Sequence, residues 1–496
     1  MNLKHLKSGT DIRGSAVEKA EKHDYDLTDE VVQRFTAGFV DFLMKKTRKE
    51  KLLISVGHDS RVSADRISVA VKNELGAFDV NIIDCGLCST PAMFMTTVVK
   101  ECDGAIQITA SHHPWDRNGL KFFTRDGGLE SEELDEVIAF AENYIPKGSN
   151  IKNTEKKIDF LSDYSKILRD MIKKEVNAEN YNKPLDGFKI IVDAGNGAGG
   201  FYAFDVLEPL GADISGSQFL EPDGMFPNHI PNPENKEAMD FAYKATVSAK
   251  ADLGIIFDTD VDRAGCIDKS GLEINRNRLV ALAAAIALEN NDGGTIVTDS
   301  VTSSGLTDFI NNHLGGKHLR FKRGYKNVID EAIRRNKNGE NAPLAIETSG
   351  HAAFKENYFL DDGAYLVTKI IILAARLRKE GNDLSSVISS LKEPKEAQEI
   401  RLNILCENFK EYGQKVIKEL TEYASKTDGW LLANDNYEGV KVSFDKDNGN
   451  GWFLLRLSVH DPVMPLNIES DEFGGNKIII EKVRSFLSKY EYLSKF

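Results

Sequence analysis

One pattern constrains this chain more than any other. A short, uninterrupted apolar run stops at a Gly/Asp/Ser loop and is followed by a helical stretch. It occurs in LLISVGHDSRVSADRISVAV (52–71), GAIQITASHHP (104–114), KIIVDAGNGAGGFYAFDVL (189–207), LGIIFDTDVDRAG (253–265) and TIVTDSVTSSGL (295–306). Val/Ile/Leu runs without polar alternation predict strands covered on both faces, in mixed or mainly parallel sheets with helices on each side. Ligands of such sheets bind at the carboxyl ends of the strands, where these loops fall. The unit returns roughly every 50–100 residues, a spacing of related α/β domains rather than of a solenoid of short repeats.

The chain has 496 residues, which at about 150 per domain predicts three or four domains. A polar, lysine-rich stretch, KGSNIKNTEKK (147–157), places a junction near 155. DKSG (268–271) opens a third domain, and LKEPKEAQ (391–398) marks a third junction. The last hundred or so residues alternate apolar and polar side chains, as in GVKVSF and GWFLLRLSV, and end in KIIIEKVRSFLSKY, a helix. That texture predicts a small α+β domain with an antiparallel sheet. The expected limits are 1–155, 156–268, 269–393 and 394–496.

Composition excludes several classes of function. Apolar residues are 41% and charged residues 28% of the chain, a globular balance. A net charge of −14 argues against clamping nucleic acid, whose affinity comes largely from Lys and Arg on phosphates, and against anionic membrane surfaces. The longest apolar run, LVALAAAIAL (279–288), is far short of the roughly 20 residues a membrane span needs and predicts a buried helix. MNLKHLKSGTDIRG has no apolar signal core, so a cytoplasmic location is expected. Five cysteines are too few for a disulfide scaffold, and Cys85 and Cys88 read as small turn residues.

Four loops carry residues suited to chemistry. TASHHPWDRNGLKFF (109–123) sets Ser111 beside His112 and His113, with Lys121 further on; this is either an activated nucleophile or a turn with surface histidines. In LGIIFDTDVDRAG, Asp258, Asp260 and Asp262 alternate directly after a strand. Three carboxylates so close repel one another unless a cation lies between them, and all-oxygen ligands suit Mg²⁺; a solvated acidic turn is the alternative. An EF-hand is excluded by Arg263 and Lys269 at the positions needing Gly and Glu. The opening DTDV also matches the start of the haloacid-dehalogenase phosphatase motif, but only formally. AIETSGH (345–351) offers Glu347 and Ser349 to hydrogen-bond vicinal hydroxyls and His351 to carry a proton, with a capped turn as the alternative. FLLRLSVHDP (453–462) sets Arg456, Ser458 and His460 on one face of a strand end, a plausible phosphate cradle. FKRGYKNV (321–328) adds Lys322, Arg323 and Lys326.

The order of these four loops resembles the α-D-phosphohexomutase family, which includes phosphoglucomutases and phosphomannomutases. SGTDIRG (8–14), GHDSRVS (57–63), VDAGNGAGG (192–200) and PDGMFPNHIPNPE (222–234) are similar to other family segments, so the resemblance runs over nearly the whole chain. It departs in His113, where Asn is customary, in Thr259 and Ile346, where Gly is common, and in Val459-His460-Asp461, where the family has Gly-Thr-Glu.

The resemblance implies four domains around a central cleft, three related α/β domains with mixed sheets plus a C-terminal α+β domain. It implies a phosphoserine enzyme interconverting glucose or mannose 1- and 6-phosphates through a 1,6-bisphosphate, with a glucose 1,6-bisphosphate-type activator. Ser111 would carry the phosphoryl group, and Asp258, Asp260, Asp262 and Ser111 would hold Mg²⁺. Lys121, Arg13 and His351 are the implied proton-transfer candidates. Glu347, Ser349, His351, Arg263, Lys322 and Tyr325 would bind the sugar phosphate, and Arg456, Ser458 and His460 the distal phosphate. A phosphoglucosamine mutase and a non-catalytic sugar-phosphate-binding relative are the alternatives.

Overall fold

A computed structural model of the chain describes residues 1–18, 25–147, 154–434, 436–458 and 461–495. They form two compact units, Met1–Ile286 with Ser349–Val387, and Ala287–Thr348 with Ile388–Phe496.

The first unit holds two mixed sheets. In the larger, Leu52–His58 lies parallel to Val80–Leu87 and to Gly104–Ile108. Arg117–Thr124 returns antiparallel to Gly104–Ile108 and pairs in turn with Asp11–Ser15. Helices Asp29–Thr47, Ala64–Leu75, Thr90–Val99 and Ser131–Asn143 accompany it. The first helix starts where Thr28 accepts a hydrogen bond from the Val31 amide and ends at Arg48 in the left-handed region. Val32, Phe35, Phe39 and Leu43 recur at helical spacing and are fully buried, each contributing about 1.5–3 kcal/mol. Phe39 stacks on Phe122 of the sheet at 4.6 Å between ring centroids.

The second sheet places Leu253–Phe257 parallel to Ile190–Asp193 and antiparallel to Ala264–Asp268. Every residue of Gly104–Ile108, Ile190–Asp193 and Leu253–Phe257 is buried. This is the two-sided coverage that their unbroken apolar runs require.

In the second unit, Thr295–Thr298 lies parallel to Lys317–Arg320 and Leu344–Ile346. The C-terminal sheet is antiparallel and runs Glu396–Asn403, Val463–Ser470, Gly451–Leu455, Val440–Phe444 and Leu431–Leu432. Helices Phe409–Ala424 and Gly475–Leu487 share its core, in which Trp430 meets Phe444 and Phe453 edge-on. The fold class is therefore α/β with mixed sheets followed by a C-terminal α+β region, as the patterning predicts.

One local expectation changes. Cys85 lies in the strand Val80–Leu87 and not in a turn; Cys88 follows that strand, and both are buried. DKSG turns the chain between Ala264–Asp268 and Glu273–Ile274, within the second sheet. Part of KGSNIKNTEKK lies outside the described residues, and Glu155–Lys157 pairs with Val80–Leu87 at the edge of the first sheet. The helix Arg276–Leu288 contains the buried run LVALAAAIAL. Among the described residues no helix is long and apolar enough to cross a membrane.

Candidate active site

Ser111 lies three residues past the strand Gly104–Ile108, at φ +50° and 3% exposed. A non-glycine residue in the left-handed region costs on the order of 1–3 kcal/mol and persists only where its surroundings over-determine it. They do so here. The Ser111 amide donates to Thr109 Oγ1 at 2.9 Å. The Arg61 guanidinium donates to the carbonyl oxygens of Ser111, His113, Pro114 and Arg117 at 2.5–2.9 Å. Arg61 pairs with Asp59 at 3.3 Å and has the Phe226 ring 5.2 Å away. Thus GHDSRVS and PDGMFPNHIPNPE together hold the serine loop. Gly224 sits so close to the Val62 amide that an added Cβ would approach it to 2.3 Å, so only glycine fits this approach.

The aspartate loop comes to the same place. Ser111 Oγ donates to Asp258 Oδ2 at 3.2 Å, and Arg263 Nη2 reaches Ser111 Oγ at 3.3 Å. Arg263 Nε also donates to Asp258 Oδ2, at 3.1 Å. Arg263, expected to contact the sugar, is 1% exposed and turned into this cluster. Lys121 Nζ pairs with Asp262 Oδ2 at 2.5 Å and Asp260 Oδ2 at 3.3 Å. Arg13 donates to Asp11 Oδ2 at 2.9 Å and to the Ala110 carbonyl at 3.2 Å, beside Ser111.

Each aspartate of the loop has an oxygen engaged by a donor. The other oxygens of two of them, Asp260 Oδ1 and Asp262 Oδ1, are buried without a hydrogen-bond partner. One carboxylate oxygen from each of the three can converge within 4.8 Å of the others. A cluster of hard oxygens that can close to this spacing and includes orphaned buried acceptors fits a divalent cation. The electrostatics agree. Burial and then repulsion from Asp262 push the Asp258 carboxyl well above its ordinary value, against the pull of Arg263. Burial would also raise Asp262, but Lys121, His351 and Arg263 hold it well below. Three carboxylates thus share the space only with a proton or a metal among them.

His351 joins from the segment Ser349–Val387. Its backbone bridges Arg263, and its Nδ1 makes a short contact with Asp361 Oδ2. Burial lowers its pKa, but the Asp361 carboxylate overcomes this and raises it to about 9. Burial pushes the Asp361 carboxyl up, against the pull of the imidazolium beside it. His112 and His113 behave oppositely. Burial, with Arg263 beside His112 and Arg13 beside His113, lowers them to about 2 and 3. They are neutral, and His112 Nδ1 accepts from Arg263 Nη2 at 2.7 Å.

The second unit gathers the other candidates. Glu347 Oε1 accepts from the Gly324 amide at 2.6 Å, which ties the ETSGH loop to FKRGYKNV. Glu438 accepts from the Arg323 amide at 3.1 Å and from Ser300 Oγ. Asp299 Oδ2 accepts from Thr348 N and Oγ1 at 3.1 and 2.7 Å. Arg456 Nε is buried without a hydrogen-bond partner. Burial and then repulsion from Arg323 lower the Arg456 pKa, opposed by Glu438 and Glu399. An orphaned guanidinium donor with a second guanidinium nearby suits an anion. Arg456 and Ser458 follow the strand Gly451–Leu455 and still bond to the next strand, at 3.1 Å to Pro465 and 3.0 Å to Val463. Lys322 is exposed and Tyr325 begins the helix Tyr325–Lys337. His460, with Val459, lies outside the described residues.

The structure therefore brings Ser111, Asp258, Asp260, Asp262, Arg263, Lys121, Arg13 and His351 together in the first unit, where Ser349 is buried two residues before His351. Sequence reasoning missed Arg61, Thr90 and Asp361. Arg61 stood inside a quoted motif and only lacked a role. Thr90, which bonds Asp260 across 170 positions of sequence, left no local signal.

Comparisons with known proteins match this arrangement. Three consecutive domain profiles match: Phosphoglucomutase/phosphomannomutase, alpha/beta/alpha domains I, II and III, at residues 5–145, 167–271 and 275–394. A phosphomannomutase/phosphoglucomutase of Pseudomonas syringae pv. tomato is 31% identical over 422 residues, covering 84% of this chain and 83% of that one. A phosphoglucomutase/phosphomannomutase of Thermococcus kodakarensis is 31% identical over 432 residues, 86% and 88% of the two chains. The crystal structure of a phosphoglucomutase/phosphomannomutase family protein from Burkholderia thailandensis superposes with a TM-score of 0.79 at 25% identity, covering 98% of each chain.

Proposed function

The chain belongs to the phosphoglucomutase/phosphomannomutase family of α-D-phosphohexomutases, and from this premise we propose that it interconverts hexose 1-phosphates and hexose 6-phosphates of glucose, mannose or both. The observation that carries the reading is the buried contact of Ser111 Oγ with Asp258 at 3.2 Å, beside two carboxylates with orphaned oxygens. A serine nucleophile and a hard-cation site in one place suit phosphoryl transfer.

In this reading Ser111 Oγ carries the phosphoryl group. It passes to the free hydroxyl of a hexose phosphate: the P–Oγ bond breaks, a P–O bond to the sugar forms, the hydroxyl gives up a proton and Oγ receives one. The resulting 1,6-bisphosphate turns over, and Oγ takes back the other phosphoryl group. Asp258, Asp260, Asp262 and Ser111 would hold Mg²⁺, which would neutralise charge on the transferring group. Lys121 and His351, paired with Asp262 and Asp361, move the protons. Arg13 keeps its charge and steadies the loop at Ala110. Arg263 orients Ser111 and flanks bound substrate. Glu347, Ser349 and His351 grip sugar hydroxyls; Lys322, Tyr325, Arg456, Ser458 and His460 bind substrate and its phosphates. A glucose 1,6-bisphosphate-type activator loads Ser111. The domain limits 1–155, 156–268, 269–393 and 394–496 and a cytoplasmic location belong to the same proposal.

The test is chemical. Incubation with glucose 1,6-bisphosphate should add the mass of one phosphoryl group to the protein, and Ser111→Ala should abolish both that mass and turnover. Undiminished exchange by Ser111→Ala would remove the serine from the mechanism. A panel of glucose, mannose, glucosamine and N-acetylglucosamine 1-phosphates then sets the substrate class.

A further inference from the structure

Thr90 begins the helix Thr90–Val99, yet it does not cap it. Ser89 occupies the N-cap and accepts from the Ala92 amide at 3.3 Å, and Pro91 follows. A β-branched residue gains nothing from this place in a helix. Its polar atoms turn instead to a loop 170 positions away. The Thr90 amide donates to the Asp260 carbonyl at 2.9 Å, and Thr90 Oγ1 donates to Asp260 Oδ2 at 2.5 Å. Thr90 is 3% exposed and Asp260 fully buried, so no water competes for either bond.

The loop so held is strained. Val261 lies at φ +67°, a conformation that a β-branched side chain strongly disfavours. Its amide makes only a long contact to the Asp258 carbonyl, 3.4 Å, and its carbonyl accepts from the Gly363 amide at 3.1 Å. Two other segments thus brace this turn, Gly363 on Val261 and Thr90 on Asp260. The hydroxyl does more than brace. With Lys121 it engages Asp260 Oδ2 and leaves Oδ1 as the carboxylate oxygen without a partner. Groups that hold the far oxygen of a metal-binding carboxylate fix its rotamer, and their loss typically costs 10–100-fold in metal affinity.

We propose that Thr90 is a positioning residue for the divalent cation: its hydroxyl fixes the Asp260 carboxylate so that Oδ1 faces the ion. This rests on the three-aspartate loop being the metal site. The test compares wild type, Thr90→Val and Thr90→Ser as full-length proteins, with Mn²⁺ binding read by electron paramagnetic resonance and Mg²⁺ by competition. Thr90→Val keeps the shape and the backbone bond but removes the hydroxyl; it should weaken Mn²⁺ binding about 10–100-fold. Thr90→Ser restores the donor and should bind within about threefold of wild type. The metal-free Thr90→Val protein should melt below wild type and Thr90→Ser, because one buried hydrogen bond is lost, so Mn²⁺ binding is compared at a temperature where all three are folded. Wild-type affinity in Thr90→Val, or equal loss in both variants, overturns the role of the hydroxyl. Failure of wild type itself to bind Mn²⁺ overturns the metal site instead. If Thr90→Val does not fold, wild-type binding by Thr90→Ser joined to a tenfold loss in Thr90→Ala supports the proposal, and no loss in Thr90→Ala overturns it.

Discussion

The serine–aspartate cluster of the first unit and the glutamate–arginine cluster of the second leave different buried atoms without partners. In the first these include the carboxylate oxygens Asp260 Oδ1 and Asp262 Oδ1; in the second they include a guanidinium donor, Arg456 Nε, as well as the acceptor Asp299 Oδ1. In the first, Lys121 and Arg263 hold acidic groups in place. In the second, Asp299, Glu347 and Glu438 are engaged by amide and hydroxyl donors of Thr348, Gly324, Arg323 and Ser300. A buried acceptor without a partner can be satisfied by a cation, and a buried guanidinium donor by an anion. One chain with a net charge of −14 can thus present both, because the field in a pocket is set by the few groups whose partners are missing.

The comparison is most exposed at Asp262, which both anchors Lys121 and offers an orphaned oxygen. Asp262→Asn should reduce kcat/KM by about 1000-fold or more, several kcal/mol of barrier, and abolish Mn²⁺ binding measured by equilibrium dialysis. Retained metal with lost turnover would recast Asp262 as a holder of Lys121 alone.

Arg456→Gln removes the orphaned donor in the second unit. A charge-assisted hydrogen bond contributes about 1.5–3 kcal/mol, so KM for hexose phosphate should rise about 10–100-fold with kcat changed far less. A kcat loss at constant KM would break the reading of an anion receptor. The KM of the wild type should also climb with ionic strength between roughly 0.05 and 0.5 M, where the Debye length falls below about 10 Å, and that dependence should flatten in the variant.

Metal removal should act on stability as well. At a hundredfold excess over Kd a cation that binds only the folded state stabilises it by about 2.7 kcal/mol, so chelation should lower the Tm of the wild type and not that of Asp262→Asn.

The smallest effect concerns His351. Its folded pKa of about 9 lies above an unfolded value of about 6.5. Its pairing with Asp361 therefore stabilises fully below pH about 6.5, and that contribution is lost as pH rises through about 9. Asp361→Asn should be less stable by on the order of 1–3 kcal/mol at pH 6 and should approach wild type by pH 9.5 in urea titrations. A gap that is constant with pH would mean that the pair is not ionic.

Much of this was legible in one dimension. Strands such as Gly104–Ile108 and Leu253–Phe257 declare themselves because burial on both faces leaves no room for polar alternation. Ser111 and the three aspartates stood out as candidates because each loop directly follows a buried strand, where ligands of such sheets bind. Cys85 was misplaced because CxxC spacing says nothing of the backbone around it, and the run Val80–Leu87 extends past it. Arg263 was expected to bind substrate; that its guanidinium also engages Asp258 and His112 was not legible in the sequence.

By itself the sequence determined the fold class and the order of the loops, and it offered Ser111 and the three aspartates as candidates, since these follow from local pattern and residue chemistry. Only the tertiary structure decided which atoms are left without partners. That Thr90 and Lys121 occupy Asp260 Oδ2 and leave Oδ1 free of donors, and that Asp361 raises the pKa of His351, depends on groups brought within hydrogen-bond reach by sheets and helices far apart in the chain. Hydrogen bonds and buried charges act over a few ångströms, and sequence separation carries no record of such distances.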